Sequence, residues 1–350
     1  MSAARKRAYR LESEIMHPTS VNQAEALRDG RLPATEEVRP GIHAIALNMP
    51  SMQPPYAFSY AILAGGGSRD VHLIDAGLDT DENWDALGEA LAALDRGVED
   101  VASVTVTHMH HDHLGLAGRI RSASGAIVRL HSREADAIER RATFGVSEDP
   151  RATLARWGVP EAERETLLAT GAMATDSGVE GETVVEIDER VEDGDVLKFG
   201  SYEARAIHTP GHTTGHLCLA VEGENVVFTG DHVLPVINPG IALGGERSAD
   251  PLGEYYASLD RLAEYADAEV LPGHGFRFST LGERCAEIRA HHDKRTREVA
   301  AVLAAEPDAP VWEIASRITW SYGWEGLSGV SLLSALAQVE MHVARVRADS

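Results

Sequence analysis

The chain has 350 residues, 43% of them hydrophobic and 25% charged, enough for one large domain with a smaller appendage. Its formal net charge of −23 repels phosphate backbones and argues against nonspecific nucleic-acid binding. Two cysteines, Cys218 and Cys285, lack Cys-x-x-Cys spacing and read as buried free thiols. The first residues carry no apolar secretory segment, and no run nears the roughly 18 apolar residues of a membrane span. A cytoplasmic protein is the expectation.

Residues 1 to about 37 read as a polar, helical N-terminal arm (1–40), broken at Pro18 and Pro33. Alternation predicts strands at 41–47, 58–64 and 71–77, with a Pro/Met-rich loop at 48–55 and a turn at Gly65-Gly66-Gly67. A helix follows at 81–96, then a β-branched strand at 101–107. Another helix (114–122) and strand (127–130) come next, ending at His131. Residues 132–175 lack strand character and form a helical insertion containing Phe144, Trp157 and Met173. Strands are expected again at 184–187, 196–199, 202–208, 217–221 and 225–229, then a helix at 251–266 and a short strand at 269–271. From 281 to 350 the pattern is helical, with a turn at 307–310. Strands grouped around helices, without strict βαβ alternation, predict an α/β (α+β) protein of two sheets covered by helices.

The chemistry concentrates where strands end. Thr107-His108-Met109-His110-His111-Asp112-His113 puts four histidines and an aspartate into six positions directly after a buried strand. His108 and His110, two apart in extended chain, point the same way and can grip one metal. Asp112 and His113 follow at the turn. Later motifs repeat the design: His208-Thr209-Pro210-Gly211-His212-Thr213-Thr214-Gly215-His216, Thr229-Gly230-Asp231-His232 and Leu271-Pro272-Gly273-His274-Gly275. Each places a histidine or aspartate beside a glycine that lets the backbone turn sharply.

Taken in order, these motifs resemble the metallo-β-lactamase superfamily over residues 41–280, with Asp75 matching its first motif as a structural or outer-shell group. The resemblance implies a four-layer αβ/βα sandwich as the catalytic domain (41–280), a helical lid insertion (about 132–175), and a helical, winged-helix-like C-terminal extension (281–350). It implies that His108, His110 and His212 hold one metal, that Asp112, His113 and His274 hold another, and that Asp231 bridges them. Imidazole and carboxylate ligands suit zinc, with manganese or iron as alternatives. Two cations about 4 Å apart lower the pKa of a shared water, so hydroxide is available at neutral pH. Asp112 would orient it, and His232, beside the bridging Asp231, would donate to a substrate oxyanion. His216 reads as an orienting hydrogen-bond partner, and His111 stands outside both sites.

Within that superfamily the true β-lactamases carry Cys or Ser where this chain has Asp231, which disfavours antibiotic degradation. The stretch from Thr209 to Cys218 looks most like glyoxalase-II-type thioesterases. The resemblance therefore implies hydrolysis of an acyl bond, a thioester, ester or lactone, in a small-molecule substrate. A phosphodiesterase or endoribonuclease and an iron-dependent persulfide dioxygenase remain the alternatives. The insertion is expected to cover the site, with Phe144, Trp157 and Met173 joining Met49, Met52 and Tyr56 around an apolar acyl pocket. The C-terminal extension reads as a packing and dimerisation module, giving a homodimer.

Overall fold

A computed structural model describes residues 17–50, 54–140, 149–175, 185–244, 248–321 and 323–348. Two sheets carry the fold. The seven-stranded sheet runs β1 (Glu36–Arg39), β2 (Ile42–Asn48), β3 (Tyr56–Leu63), β4 (Val71–Ile74), β5 (Val101–Thr105), β6 (Ile127–His131) and β7 (Glu189–Val191), in that spatial order. The five-stranded sheet runs β12 (Glu269–Pro272), β11 (Val226–Gly230), β10 (Leu217–Val221), β9 (Tyr202–His208) and β8 (Val196–Phe199).

Side-chain alternation decides what each face meets. In β3, Tyr56, Phe58, Tyr60 and Ile62 point into a core shared with Leu217, Leu219, Val227 and Phe228 of the second sheet. Ile45, Leu47, Leu73 and Val104 point the other way, onto Leu87 and Leu91 of helix α2 (Asp81–Ala92) and Ile120 of α4 (Ala117–Ser124). Helices α8 (Pro251–Arg261) and α9 (Leu281–Ala305) close the far side through Leu252, Tyr255, Leu259, Cys285 and Ile288. The result is the expected four-layer sandwich. Both cysteines are buried and free, and burial raises each thiol to about 12.

Four details depart from the sequence reading. Residues 21–29 form the expected helix of the arm (α1, Val21–Asp29), but Glu36–Arg39 adds a strand at the sheet edge. Its charged, four-residue sequence gives no alternation to read. The residues described between 185 and 188 are not a strand, and the sheet resumes at Glu189. The cluster itself continues as a one-turn helix, α3 (His111–Leu114), before α4.

The fourth concerns the insertion. After α5 (Ser132–Glu139), helices α6 (Pro150–Arg156) and α7 (Glu161–Thr175) pack with α10 (Val311–Arg317) and α11 (Gly329–Ala348). Leu154, Trp157, Val159 and Leu167 share one apolar cluster with Val299, Leu303, Ile314, Leu336 and Val339. Trp157 belongs to this third core, and its carbonyl accepts from the Trp312 amide at 2.8 Å. Tyr56 is likewise core, its hydroxyl donating to the Gly275 carbonyl at 2.8 Å, and Met49 is buried. These three do not line an open acyl pocket. Phe144 and Met52 lie outside the described residues, as does the side chain of Met173. None of the described helices is long and apolar enough to cross a membrane.

Candidate metal centre

Strands β4 to β7 run parallel, as do β11 and β12, so the loops after β4, β5, β11 and β12 collect along one edge. The two sheets are stitched there. The Leu217 amide donates to the Thr107 carbonyl and the Phe58 amide to the Gly273 carbonyl, both at 2.8 Å. The Tyr60 hydroxyl donates to the Pro272 carbonyl at 2.7 Å. Gly230 turns with φ 46°, and a Cβ there would stand 2.7 Å from both His216 Nε2 and Thr107 Oγ1. Only glycine lets Asp231 leave the strand at this spot.

On this edge seven residues named from the sequence meet. Three sets of donor atoms converge, each set within 4.8 Å: His108, His110 and His212; His108, His113 and Asp231; Asp112, His113 and His274. His110 Nδ1 lies 2.9 Å from His108 Nε2 and 3.2 Å from His212 Nε2. His113 Nε2 and His274 Nε2 are 3.3 Å apart. Asp231 spans the halves: Oδ1 is 3.3 Å from His274 and 3.5 Å from His113, whereas Oδ2 is 3.8 Å from His212. Asp112 Oδ2 is 3.2 Å from His274 Nε2. The Asp112 and Asp231 side chains keep 14% and 12% exposure, so the cluster opens to solvent along its carboxylate side.

The outward nitrogens reveal which ring atoms hold protons. His110 Nε2 faces the Leu243 carbonyl at 2.6 Å, His212 Nδ1 the Gly240 carbonyl at 2.8 Å, and His274 Nδ1 the Tyr56 carbonyl at 2.8 Å. His113 Nδ1 faces Asp75 Oδ2 at 2.8 Å. His108 Nδ1 lies 3.1 Å from Thr107 Oγ1, whose single proton goes to Asp75 Oδ2 at 3.0 Å, so that oxygen accepts from His108. Each ring therefore donates outward and presents its other nitrogen inward. Among His108, His110 and His212, inward lone pairs about 3 Å apart repel one another, and a shared cation turns that repulsion into coordination. The Asp231 Oδ1 atom, buried and without a hydrogen-bond donor, fits the same need. The residues present fit a metal.

The two halves differ electrostatically. Burial lowers His108 well below its ordinary value, lowers His110, and brings His212 to about 4. These rings stay neutral. For His113 burial acts in the same direction, but Asp112, Asp75 and Asp231 outweigh it and raise the ring to about 9. His274 is raised well above its ordinary value in the same way, burial being overcome chiefly by Asp231 and Asp112. The first half thus offers bare lone pairs, and the second offers negative charge.

Residues behind the cluster hold it. Asp75, at the end of β4 with φ 61°, accepts the Thr107 amide at 2.7 Å as well as the groups above. A left-handed aspartate costs about 1 kcal/mol, and here that conformation aims one carboxylate at His113 directly and at His108 through Thr107. The His216 ring accepts the Asp231 amide at Nε2 (3.2 Å), with Nδ1 2.9 Å from Thr209 Oγ1, so it orients the backbone of Asp231. His111 is exposed at the start of α3. His232 is not brought to the open edge. Its ring is fully enclosed against Tyr255, at 4.5 Å between centroids, and His216, at 5.6 Å, with burial lowering it to about 3. An enclosed ring has no route to a substrate oxyanion in this structure.

Sequence reasoning missed Glu134. This residue of α5 is fully buried, and one oxygen accepts the Met109 amide at 2.8 Å while the other accepts the Gly215 amide at 2.6 Å. It ties the loop carrying His108 and His110 to the loop carrying His212. Burial raises its carboxyl to about 7 against these hydrogen bonds. No motif signals it, because its partners are backbone amides 25 and 81 positions away.

The family model of the metallo-beta-lactamase superfamily matches residues 54–274. A lactamase-like protein from Aspergillus niger is 35% identical over 113 residues, 32% of this chain and 33% of that protein. An atrochrysone carboxyl ACP thioesterase from Cryptosporiopsis sp. is 31% identical over 127 residues, 36% of this chain and 37% of that protein. These matches span about a third of the relatives' length. Among solved structures, a beta-lactamase domain protein from Burkholderia ambifaria shares the fold with a TM-score of 0.77 at 23% identity, over 97% of this chain and 95% of that one. A metallo-beta-lactamase family protein from Thermus thermophilus gives 0.66 at 26% identity, over 89% and 95%. Five strand-end motifs, the four-layer sandwich and the family match agree: this chain belongs to the metallo-beta-lactamase superfamily.

Proposed function

We propose that this chain is a hydrolase of acyl bonds, thioesters first and esters or lactones next, using two divalent metal ions, zinc before manganese or iron. The observation that carries the reading is the pair of donor sets joined by Asp231, which has one oxygen near His212 and the other near His113 and His274. His108, His110 and His212 would hold one ion, and Asp112, His113 and His274 the other. Asp231 has one oxygen toward each half. Such ions supply an activated water at neutral pH and polarise a substrate carbonyl. A thioesterase among the relatives supports the acyl class.

The protein's own groups then divide the work. Asp112, partly exposed beside His113 and His274, would orient water at the open edge. Asp75 fixes the His113 ring directly and the His108 ring through Thr107, so these donors would meet an ion without rearrangement. The buried walls of both sheets exclude bulk water from the other sides.

The test is metal analysis followed by turnover of acyl-CoA, glutathione thioester, lactone, phosphodiester and β-lactam substrates. Metal-dependent acyl hydrolysis is expected. Phosphodiester turnover without acyl turnover overturns the proposal.

A further inference from the structure

The segment after Asp231 carries two of the carbonyls that fix metal-site histidines, yet it is irregular. Gly240 accepts from His212 and Leu243 from His110. The same stretch zips onto the His212 loop, the Ala242 amide donating to the Gly211 carbonyl at 2.7 Å and the Leu243 amide to the His212 carbonyl at 2.8 Å. Ala242 is held at φ 58°, a conformation an alanine adopts only when its surroundings impose it. Residues 231–244, all described, form neither strand nor helix, so their support comes from elsewhere.

That support is α9, outside the family-matched residues. Arg284 is 8% exposed and reaches back to this segment. Its Nε donates to the Leu234 carbonyl at 2.8 Å, and Nη2 donates to the Ile237 carbonyl at 3.0 Å and to Asn238 Oδ1 at 3.3 Å. Nη1 meets Glu287 Oε2 at 3.2 Å, which balances the charge within the helix. A guanidinium has five N–H donors in a fixed plane, and here they gather acceptors from three positions of one loop. Tyr255 of α8 adds a further tie, its hydroxyl donating to the His232 carbonyl at 2.7 Å.

We propose that Arg284 is a positioning residue for the His108/His110/His212 half of the metal centre, acting through the 231–244 segment. The C-terminal extension thereby serves the site: it holds the loop whose carbonyls set the ring orientation of His110 and His212. The other half takes its anchors from Tyr56 in β3 and from Asp75 at the end of β4. Removing Arg284 leaves buried carbonyls without donors and frees the loop. It therefore weakens one metal and spares the other.

The inference rests on the metal reading for its second readout but not for its first. In Arg284→Met, hydrogen exchange at the Ala242 and Leu243 amides is expected to speed at least tenfold, with β5 amides unchanged. One metal equivalent is expected to bind more weakly by about tenfold or more, the range for outer hydrogen-bond partners, while the other keeps its affinity. Arg284→Lys restores part of both effects. Unchanged exchange at those two amides overturns the proposal. If the wild type binds no metal, the functional reading fails while the exchange result still decides the role of Arg284. Should Arg284→Met lose protection everywhere, the same two outcomes are read in Arg284→Lys.

Discussion

The two halves of the donor cluster sit a few ångströms apart and are built differently. His113 and His274 are oriented from the sheet, by Asp75 at the end of β4 and by the Tyr56 carbonyl in β3. His110 and His212 are oriented from an irregular segment, by the carbonyls of Leu243 and Gly240. The sheet-held half carries the excess of carboxylates, and the loop-held half carries imidazoles kept neutral by burial. Geometry in the first is set by strand pairing, whereas in the second it depends on whatever holds the loop. The second half is therefore the one that distant substitutions can tune.

The largest effect is expected where the halves join. Asp231→Ala removes the carboxylate that has an oxygen toward each side and should abolish tight binding of both ions, lowering acyl turnover by roughly a thousandfold or more, the scale of losing metal-activated water. Metal analysis and far-UV circular dichroism check it, the fold being retained because both sheets pack independently of this side chain. Next, His212→Ala and His274→Ala should each remove one equivalent, and a different one, as spectra of the cobalt-substituted protein would report. Equal loss of both ions in either variant breaks the comparison.

A smaller effect, about 10- to 100-fold in affinity for one ion, is expected for Glu134→Gln. The amide keeps one acceptor and turns an N–H toward the Met109 or Gly215 amide. Chelator competition should show the loop-held ion weakened and the other unchanged.

How far the sequence reaches follows the same division. The ligands are readable because histidine and aspartate at strand ends have few other uses, and because strand ends are themselves visible in apolar alternation. Trp157 is not, since nothing in its neighbourhood records that helices more than 140 residues later supply its core. Glu134 is invisible for the same reason, its function lying in two backbone amides brought together only by folding. Strand β1 goes unseen because Glu36, Glu37 and Arg39 serve an edge, not a core.

A further effect is expected away from the site, in stability and not in metal binding. His342, His291 and His292 in α9 and α11 are kept neutral, by burial first and by neighbouring Arg295 or one another next; His342 is lowered to about 3 and His291 to about 4. In the unfolded chain such rings titrate near 6.5, so below that pH the unfolded state binds more protons. Stability is then fully present above about pH 6.5 and falls as pH drops toward 4, by up to about 1.4 kcal/mol per unit for each histidine. Urea unfolding at pH 7.5 and 5.5 should show the loss, reduced in His342→Asn. A pH-independent midpoint contradicts it.

The most direct measurement is the number of metal equivalents bound by the wild-type chain and by Asp231→Ala, read by titration of the metal-free protein with zinc. Two equivalents in the wild type and none bound tightly in the variant is the expected result. A wild type that takes up no zinc, or an Asp231→Ala variant that still holds two equivalents with unchanged affinity, contradicts the account.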